Sequence, residues 1–162
     1  MKKLDALNQV AAFHRTFKHP IEPTPIIPSK KRCELRVELI SEELKELQEA
    51  IDNNDLVEVA DALCDIQYVL SGAVLEFGLG DKFIELFNEV QRSNMSKTCA
   101  SMEEAEATML HYKKKDGIES YVKQAGDQYL VYRTSDNKTL KSINYSPADL
   151  KSILEVKDKE HA

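Results

Sequence analysis

A single uninterrupted apolar pattern in the middle of the chain restricts its fold more than any other sequence feature. Seven residues follow one another at alternating steps of three and four: Leu56, Val59, Leu63, Ile66, Leu70, Ala73 and Phe77. The spacing aligns them along one stripe of a helix of about three heptads, and such a stripe packs against partner helices at a shallow angle. Gly78 and Gly80 are expected to end this helix. The chain is therefore predicted to form a helical bundle.

Further helices are predicted on both sides of this segment. Apolar spacing and capping residues favour helices over residues 3–17, 30–52 and 81–92, and from a capping box at 101–104. Four prolines exclude a regular helix from residues 18–29, and Ser29 is a suitable N-cap for the helix that follows.

Beyond Gly117 the apolar period changes from helical to two. Short strands are predicted at Tyr121, 128–133 and 139–143. Pro147 then opens a last, polar helix. The predicted fold is mainly α, a helical bundle with a small C-terminal β-meander. It forms one domain over residues 1–162, in which residues 117–145 are a β-containing region.

Charge is distributed unevenly along the 162 residues, whose net charge is −6. Residues 34–65 hold eleven acids against two bases, so this stretch alone carries −9. A nucleic-acid groove requires the opposite sign, and no apolar run is long enough to span a bilayer. Three cysteines without a CxxC pair and an N-terminus without a secretory signal favour the cytoplasm. Nucleic acid and membrane are therefore not expected partners.

The acids of this stretch occur at helical spacing on two consecutive predicted helices. On the first helix, Glu42 and Glu43 lie about one turn before Glu46. On the second, Glu58, Asp61 and Asp65 follow one another at intervals of about one turn. A short connection at residues 52–55 makes the two helices antiparallel neighbours. Glu43 and Glu46 are therefore expected to lie opposite Glu58 and Asp61.

Clustered carboxylates repel one another, and a hard divalent cation that prefers oxygen ligands, Mg²⁺ or Mn²⁺, would neutralise them. Each acid also has a purely structural interpretation. Glu58 completes a capping box with Asp55, Asp65 could accept a buried hydrogen bond, and the others could form a solvated helix face. Taken together on two adjoining helices, the acids favour a metal site.

The two acidic motifs resemble a known superfamily. Glu42–Glu46 and Glu58–Asp61 are similar to the EExxE and ExxD motifs of the MazG-like all-α nucleoside triphosphate pyrophosphohydrolases, which include dimeric dUTPases and phosphoribosyl-ATP pyrophosphohydrolases. The resemblance extends from about Phe13 to Leu150 and includes further segments at Leu35–Arg36, Asp61–Tyr68, Arg92–Lys97, Lys138–Ser142 and Tyr145–Ala148. One departure is the β-meander between Gly117 and Thr134, which lengthens the route to Lys141.

The resemblance implies a role for each matching residue. Four acids would be metal ligands: Glu43, Glu46, Glu58 and Asp61. Glu42 would orient the attacking water. Asn94, Lys97 and Lys141 would bind the triphosphate, and Tyr145 would lie nearby. His14 and Phe17 could contact the nucleobase. The sequence fits equally well a Phe17 ring packed in the core and a His14 side chain hydrogen-bonded within the protein.

The implied activity is Mg²⁺-dependent cleavage of a nucleoside triphosphate between the α- and β-phosphates, which gives a nucleoside monophosphate and pyrophosphate. Its purpose would be to cleanse the nucleotide pool of dUTP or non-standard triphosphates. One alternative is phosphoribosyl-ATP as substrate, and another is a non-catalytic helical module that binds nucleotide or metal. The resemblance and the wide apolar stripes also imply a homodimer or higher homo-oligomer.

Overall fold

A computed structural model describes residues 4–155, which form six helices and a two-stranded antiparallel sheet. In chain order these are α1 (Ala6–Phe17), α2 (Lys30–Asp52), α3 (Leu56–Glu76), α4 (Phe83–Met95), α5 (Met102–Asp116), β1 (Ser120–Ala125), β2 (Gln128–Arg133) and α6 (Leu150–Glu155). The mainly α fold with a small C-terminal sheet is as predicted. None of these helices is long and apolar enough to cross a membrane.

The described residues fall into two compact units that divide between Phe83 and Ile84. The first unit contains α1, α2 and α3. The second contains nearly all of α4, together with α5, the sheet and α6. The single domain over residues 1–162 remains a prediction.

The ends of α3 and α5 follow from local hydrogen bonding. The Asp55 carboxylate accepts from the backbone N–H groups of Val57 and Glu58 at the start of α3. The Ser101 hydroxyl accepts from Glu104 N–H at the start of α5 in the same way. These bonds satisfy N–H groups that have no partner within the helix, so the predicted N-caps Asp55 and Ser101 are confirmed. Ser29 lies at the N-cap position of α2, but its side chain makes no cap hydrogen bond.

Small residues of α2 and α3 are buried more completely than the large residues of the predicted apolar stripe. Ala50 and Ala62 are buried, and a Cβ atom added at Gly72 would lie 2.7 Å from the Arg36 guanidinium. Three leucines of the stripe are exposed, Leu56, Leu63 and Leu70, and its other four residues are half-buried. Small side chains allow two helices to approach closely, and the face they occupy lies beside the large apolar residues.

Charged residues for which no burial was predicted lie at the far end of this helix pair. The carboxylate of Glu76, at the end of α3, accepts hydrogen bonds from Arg32 and Arg36 on α2. Glu76 is 1% exposed and Arg36 is also buried. Burial raises the pKa of Glu76, but the two arginines outweigh burial and hold the pKa below its ordinary value.

The second unit has its own core, in which α5 packs on both strands. Four buried residues form its centre: Cys99, Ala105, Val131 and Leu140. The strands pair in register from Ser120 opposite Arg133 to Ala125 opposite Gln128. The third predicted strand, at 139–143, forms only an isolated bridge between Thr139 and Tyr132 and a hydrogen bond from Leu140 N–H to the Val131 carbonyl. The N–H groups of Ser142 and Ile143 bond instead to Lys97 and Thr108.

Candidate functional site

Glu43 lies at the centre of the acidic residues in the first unit. Its side chain is half-buried on α2, as is Asp65 on α3. Burial raises the pKa of Glu43, and the negative charges of Asp65, Glu46, Glu42 and Asp61 raise it further, in that order. We call these five residues the acidic cluster. Among these charges, Asp65 has the largest effect on the pKa of Glu43, and it lies one turn beyond Asp61. From helical spacing, Glu58 and Asp61 were expected to lie opposite Glu43.

Glu42 and Glu46 are exposed on the same helix. Both line an open groove along α2 that Lys45 and Glu49 also border. A carboxylate in this setting remains hydrated and mobile, so it can turn toward a bound cation or water. The catalytic role of Glu42 and the metal-ligand role of Glu46 remain predictions.

Glu58 and Asp61 are exposed near the start of α3. The helix cap formed by Asp55 uses the backbone N–H of Glu58 and not its carboxylate. The Glu58 carboxylate therefore takes no part in the hydrogen bonds that the Asp55 carboxylate accepts. The metal-ligand roles of both residues remain predictions.

The acidic cluster has the chemistry of a site for a hard divalent cation, since all its donors are carboxylate oxygens. Within residues 4–155, as the side chains stand, no three acidic, histidine or cysteine groups converge closely enough to hold a metal ion. The exposed carboxylates would have to change rotamer to do so. The elevated pKa of Glu43 gives the electrostatic reason for such a change, because a cation would relieve the repulsion.

The second unit brings four other predicted residues together: Asn94, Lys97, Lys141 and Tyr145. We call them the lysine–tyrosine cluster. The ammonium of Lys97 donates to the Asn94 side-chain oxygen at 2.7 Å, and that of Lys141 lies 4.2 Å from the centre of the Tyr145 ring. A hydrogen bond from the Ser93 hydroxyl lowers the pKa of Tyr145, and both lysines lower it further. The cluster therefore presents two cations, as an anionic ligand requires.

His14 is buried, in keeping with the alternative interpretation of this residue. It is 3% exposed, and its Nδ1 donates to the Pro20 carbonyl at 2.9 Å, since a carbonyl can only accept. Its Nε2 lies 3.4 Å from the Arg36 guanidinium. Burial lowers the pKa of His14 and favours its neutral form, and the charge of Arg36 acts in the same direction.

Phe17, by contrast, is exposed, and its ring centre lies 4.3 Å from that of Phe13. Phe13 in turn borders a cavity of about 260 Å³ between α1, α2 and α3. Its lining includes two further rings, His19 and Tyr68, and two apolar residues of the helix pair, Leu35 and Leu39. We call this cavity the aromatic pocket. Sequence reasoning missed it, although Phe13 and Tyr68 both fall within the segments of family resemblance.

The aromatic pocket adjoins the acidic cluster along the α2–α3 pair. Leu39 in the pocket lies four residues before Glu43, and Val69 in the pocket lies four residues after Asp65. Four residues of α-helix rise about 6 Å. The first unit therefore offers an aromatic pocket one helical turn from a group of carboxylates.

Comparison with known proteins identifies relatives of this chain. A sequence model of the family described as phosphoribosyl-ATP pyrophosphohydrolase matches residues 10–94, which include the whole acidic cluster. A protein of Acanthamoeba polyphaga mimivirus, described as uncharacterized, is 25% identical to the chain. The alignment covers 90% of this chain and 94% of that relative.

Proposed function

The chain belongs to the phosphoribosyl-ATP pyrophosphohydrolase family, part of the MazG-like all-α superfamily, and on this premise we propose that it hydrolyses a nucleoside triphosphate between the α- and β-phosphates. The products are a nucleoside monophosphate and pyrophosphate. The substrate class is dUTP or a non-standard triphosphate, and the activity cleanses the nucleotide pool in the cytoplasm.

The observation that carries this proposal is the acidic cluster within the family match. Superfamily members generally use divalent metal ions. In this proposal Glu43, Glu46, Glu58 and Asp61 hold Mg²⁺, with Mn²⁺ as a substitute. The cation neutralises the charge that develops on the phosphoryl oxygens. Asp65 supports the site from α3 through its proximity to Glu43.

Glu42 supplies the proton acceptor in this proposal. It precedes Glu46 by one turn and borders the same open groove, so both carboxylates can reach one bound water. A positioned carboxylate that accepts a proton from the attacking water contributes a factor of about 10² to 10⁴ to the rate. The exposure of Glu42 allows the rotamer change that this requires.

The lysine–tyrosine cluster is assigned to phosphate binding. Lys97 and Lys141 offer positive charge, and Asn94 fixes the Lys97 ammonium by a hydrogen bond. Tyr145 holds Lys141 by a cation–π contact. The hydrogen bond from Ser93 is the main cause of the lowered pKa of Tyr145, and the charges of Lys141 and Lys97 lower it further.

The aromatic pocket is assigned to the nucleobase. Phe13 and Tyr68 meet edge to face at 5.6 Å, and the pocket beside them suits a planar ring. Its separation from the acidic cluster leaves room for a sugar between base and phosphate. Phe17 supports Phe13 from outside, and the buried His14 holds the pocket wall rather than the base.

A second candidate substrate is phosphoribosyl-ATP, because the matching family carries that description. The same chemistry would apply, and dUTP and phosphoribosyl-ATP differ in the base, in its substituent and in the 2′ position of the sugar. Relative turnover of dUTP and phosphoribosyl-ATP separates the two candidates directly.

We also propose a homodimer, which the exposed leucines of the α3 stripe support. Leu56, Leu63 and Leu70 are all exposed in the single chain, and burying each leucine side chain would contribute about 1.5–3 kcal/mol. We assign this surface to a second copy of the chain. Light scattering at micromolar concentration should give twice the chain mass, and a monomer there would contradict the assignment.

The proposed activity is tested by pyrophosphate release across a panel of triphosphates with Mg²⁺. Glu42→Gln is expected to lower kcat by about 10² or more while Mg²⁺ and triphosphate still bind. Glu46→Gln should weaken metal binding and activity together, with partial recovery at high Mg²⁺. Glu38→Gln, an exposed acid one turn before Glu42, is the matched control and should remain active.

Two results would contradict this proposal. Absence of pyrophosphate release from every triphosphate would reject the reaction. Normal turnover in Glu42→Gln would reject the catalytic assignment alone.

A further inference from the structure

The loop that carries Lys141 is fastened to α5 by two side chains one turn apart. The Glu104 carboxylate accepts a hydrogen bond from the Ser142 hydroxyl. The Thr108 hydroxyl accepts from the backbone N–H of Ile143 at 3.2 Å. Both contacts flank Lys141 on its C-terminal side. The position of this lysine therefore depends on α5 as well as on its own loop.

Glu104 joins three segments of the second unit. One of its carboxylate oxygens accepts a hydrogen bond from the Ser142 hydroxyl. The other accepts a hydrogen bond from the backbone N–H of Ala100 at 2.9 Å. The Ser142 oxygen also accepts from the Asn144 N–H at 2.9 Å, and Ser142 is 4% exposed. The hydrogen bond from Ser142 is the main cause of a lowered pKa at Glu104. The Ser142 hydroxyl therefore bonds to the ionised form of the Glu104 carboxylate.

The same serine connects the segments of the two lysines. The backbone N–H of Ser142 donates to the Lys97 carbonyl at 3.1 Å. Lys97 lies three residues before Ala100, whose N–H is held by Glu104. The Glu104 carboxylate thus holds both the Lys97 segment and the Lys141 loop.

We propose that Glu104 is a positioning residue for triphosphate binding, which acts through Ser142 to set Lys141 beside Lys97. This inference rests on the proposed function, because it assumes that the two lysines bind the phosphates. Glu104 touches neither the substrate nor the reacting atoms. The alternative interpretation is that Glu104 only forms the capping box of α5 with Ser101.

Matched variants separate positioning from capping. Ser142→Ala removes the contact to the loop and leaves the Glu104 bond to Ala100 in place. Ser101→Ala removes the cap and leaves the Glu104–Ser142 contact. The readouts are KM and kcat for the preferred triphosphate, the melting temperature, and hydrogen exchange of residues 138–146.

Ser142→Ala is expected to raise KM about tenfold with kcat within about twofold, since a hydrogen bond to a charged group is lost. Exchange in residues 138–146 should accelerate. Ser101→Ala should lower the melting temperature and leave KM unchanged. The double variant Glu104→Gln with Ser142→Ala should raise KM no further than the worse single variant, because both act through one contact.

The inference is overturned if Ser142→Ala keeps the wild-type KM, or if Ser101→Ala raises KM equally. Wild-type protein without turnover would count against the proposed function instead. Calorimetry with inorganic tripolyphosphate then decides the positioning role by itself. Weaker binding by Ser142→Ala than by wild type supports it, and equal binding, or none by either protein, rejects it.

Discussion

Arg36 on α2 donates a hydrogen bond to Glu76 at the end of α3, and both side chains are buried. The pair links the beginning of one helix to the end of the next, so it fixes how the two helices lie along each other. The acidic cluster depends on that alignment, because Glu43 follows Arg36 by two turns and Asp65 precedes Glu76 by three.

Glu76→Gln is expected to destabilise the protein by about 3–5 kcal/mol, because it leaves Arg32 and Arg36 without their common counterion in a buried position. The free energy of unfolding in urea measures this loss. Glu34→Gln, in the exposed Lys30–Glu34 pair, is the control and should cost no more than about 0.5 kcal/mol. A loss below about 1 kcal/mol in Glu76→Gln would show that the pair does not hold the helices together.

Much of the helical layout could be predicted from the sequence because its signals are local. The α3 pattern begins at Leu56 as predicted, and Gly78 follows the helix end with φ of +66°. The helix that Asp81 was predicted to cap begins slightly later than expected, at Phe83. Periodicity identifies residues that share a helix face with more certainty than it identifies helix boundaries.

The packing could not be predicted in the same way. The stripe identified the large apolar residues, but Ala62 is more deeply buried than its leucines and Gly72 makes the close approach to Arg36 on α2. The Glu76 network was missed because a charged residue at a helix end is ordinarily exposed. Arg32 and Arg36, one turn apart on a helix otherwise rich in acids, were the available signal for it.

The candidate site was predicted in part for the same reasons. Glu43 and Asp61 were expected to be neighbours from helical spacing, and charge from Asp61 does reach Glu43. Asp65 contributes more strongly, which depends on how the helices pack and is not visible in spacing. The nearness of Lys97 and Lys141, which are far apart in sequence, was available only through family resemblance.

Acidification should destabilise the protein through His14. Burial holds the pKa of His14 below its unfolded value of about 6.5, so the unfolded chain binds the proton more readily. The stabilising contribution is therefore complete above about pH 6.5 and declines as the pH falls toward the folded pKa. Unfolding free energies at about pH 7.5 and about pH 5.5 should differ less in His14→Asn than in wild type. The exposed His111→Asn should retain the wild-type difference, and an equal difference in His14→Asn would exclude His14 as the source.

Gly78→Ala should be much more damaging than Gly126→Ala. Both glycines have φ above +60°, but a Cβ atom at Gly78 would lie 1.8 Å from the Thr24 carbonyl oxygen, whereas nothing lies within 4 Å at Gly126. Backbone strain alone costs about 1–2 kcal/mol, so Gly126→Ala should lose that amount and Gly78→Ala more than about 3 kcal/mol. Urea unfolding measures both losses. Equal losses would contradict the close approach of the 24–25 segment to the end of α3.

Mg²⁺ should raise the melting temperature by several degrees, because a ligand that binds only the folded state stabilises it. Glu43→Gln should remove most of this rise and also raise the melting temperature without metal, since it takes one charge out of the repelling acidic cluster. Glu38→Gln should leave the metal-induced rise intact. A full rise in Glu43→Gln would place the metal elsewhere.

Cleavage of a triphosphate in oxygen-18 water tests the central claim most directly, with mass spectrometry of both products. Attack on the α-phosphorus by the water that Glu42 orients predicts one labelled oxygen in the nucleoside monophosphate and unlabelled pyrophosphate. Label in the pyrophosphate would mean attack on the β-phosphorus. Release of a nucleoside diphosphate with inorganic phosphate would contradict the proposed reaction outright.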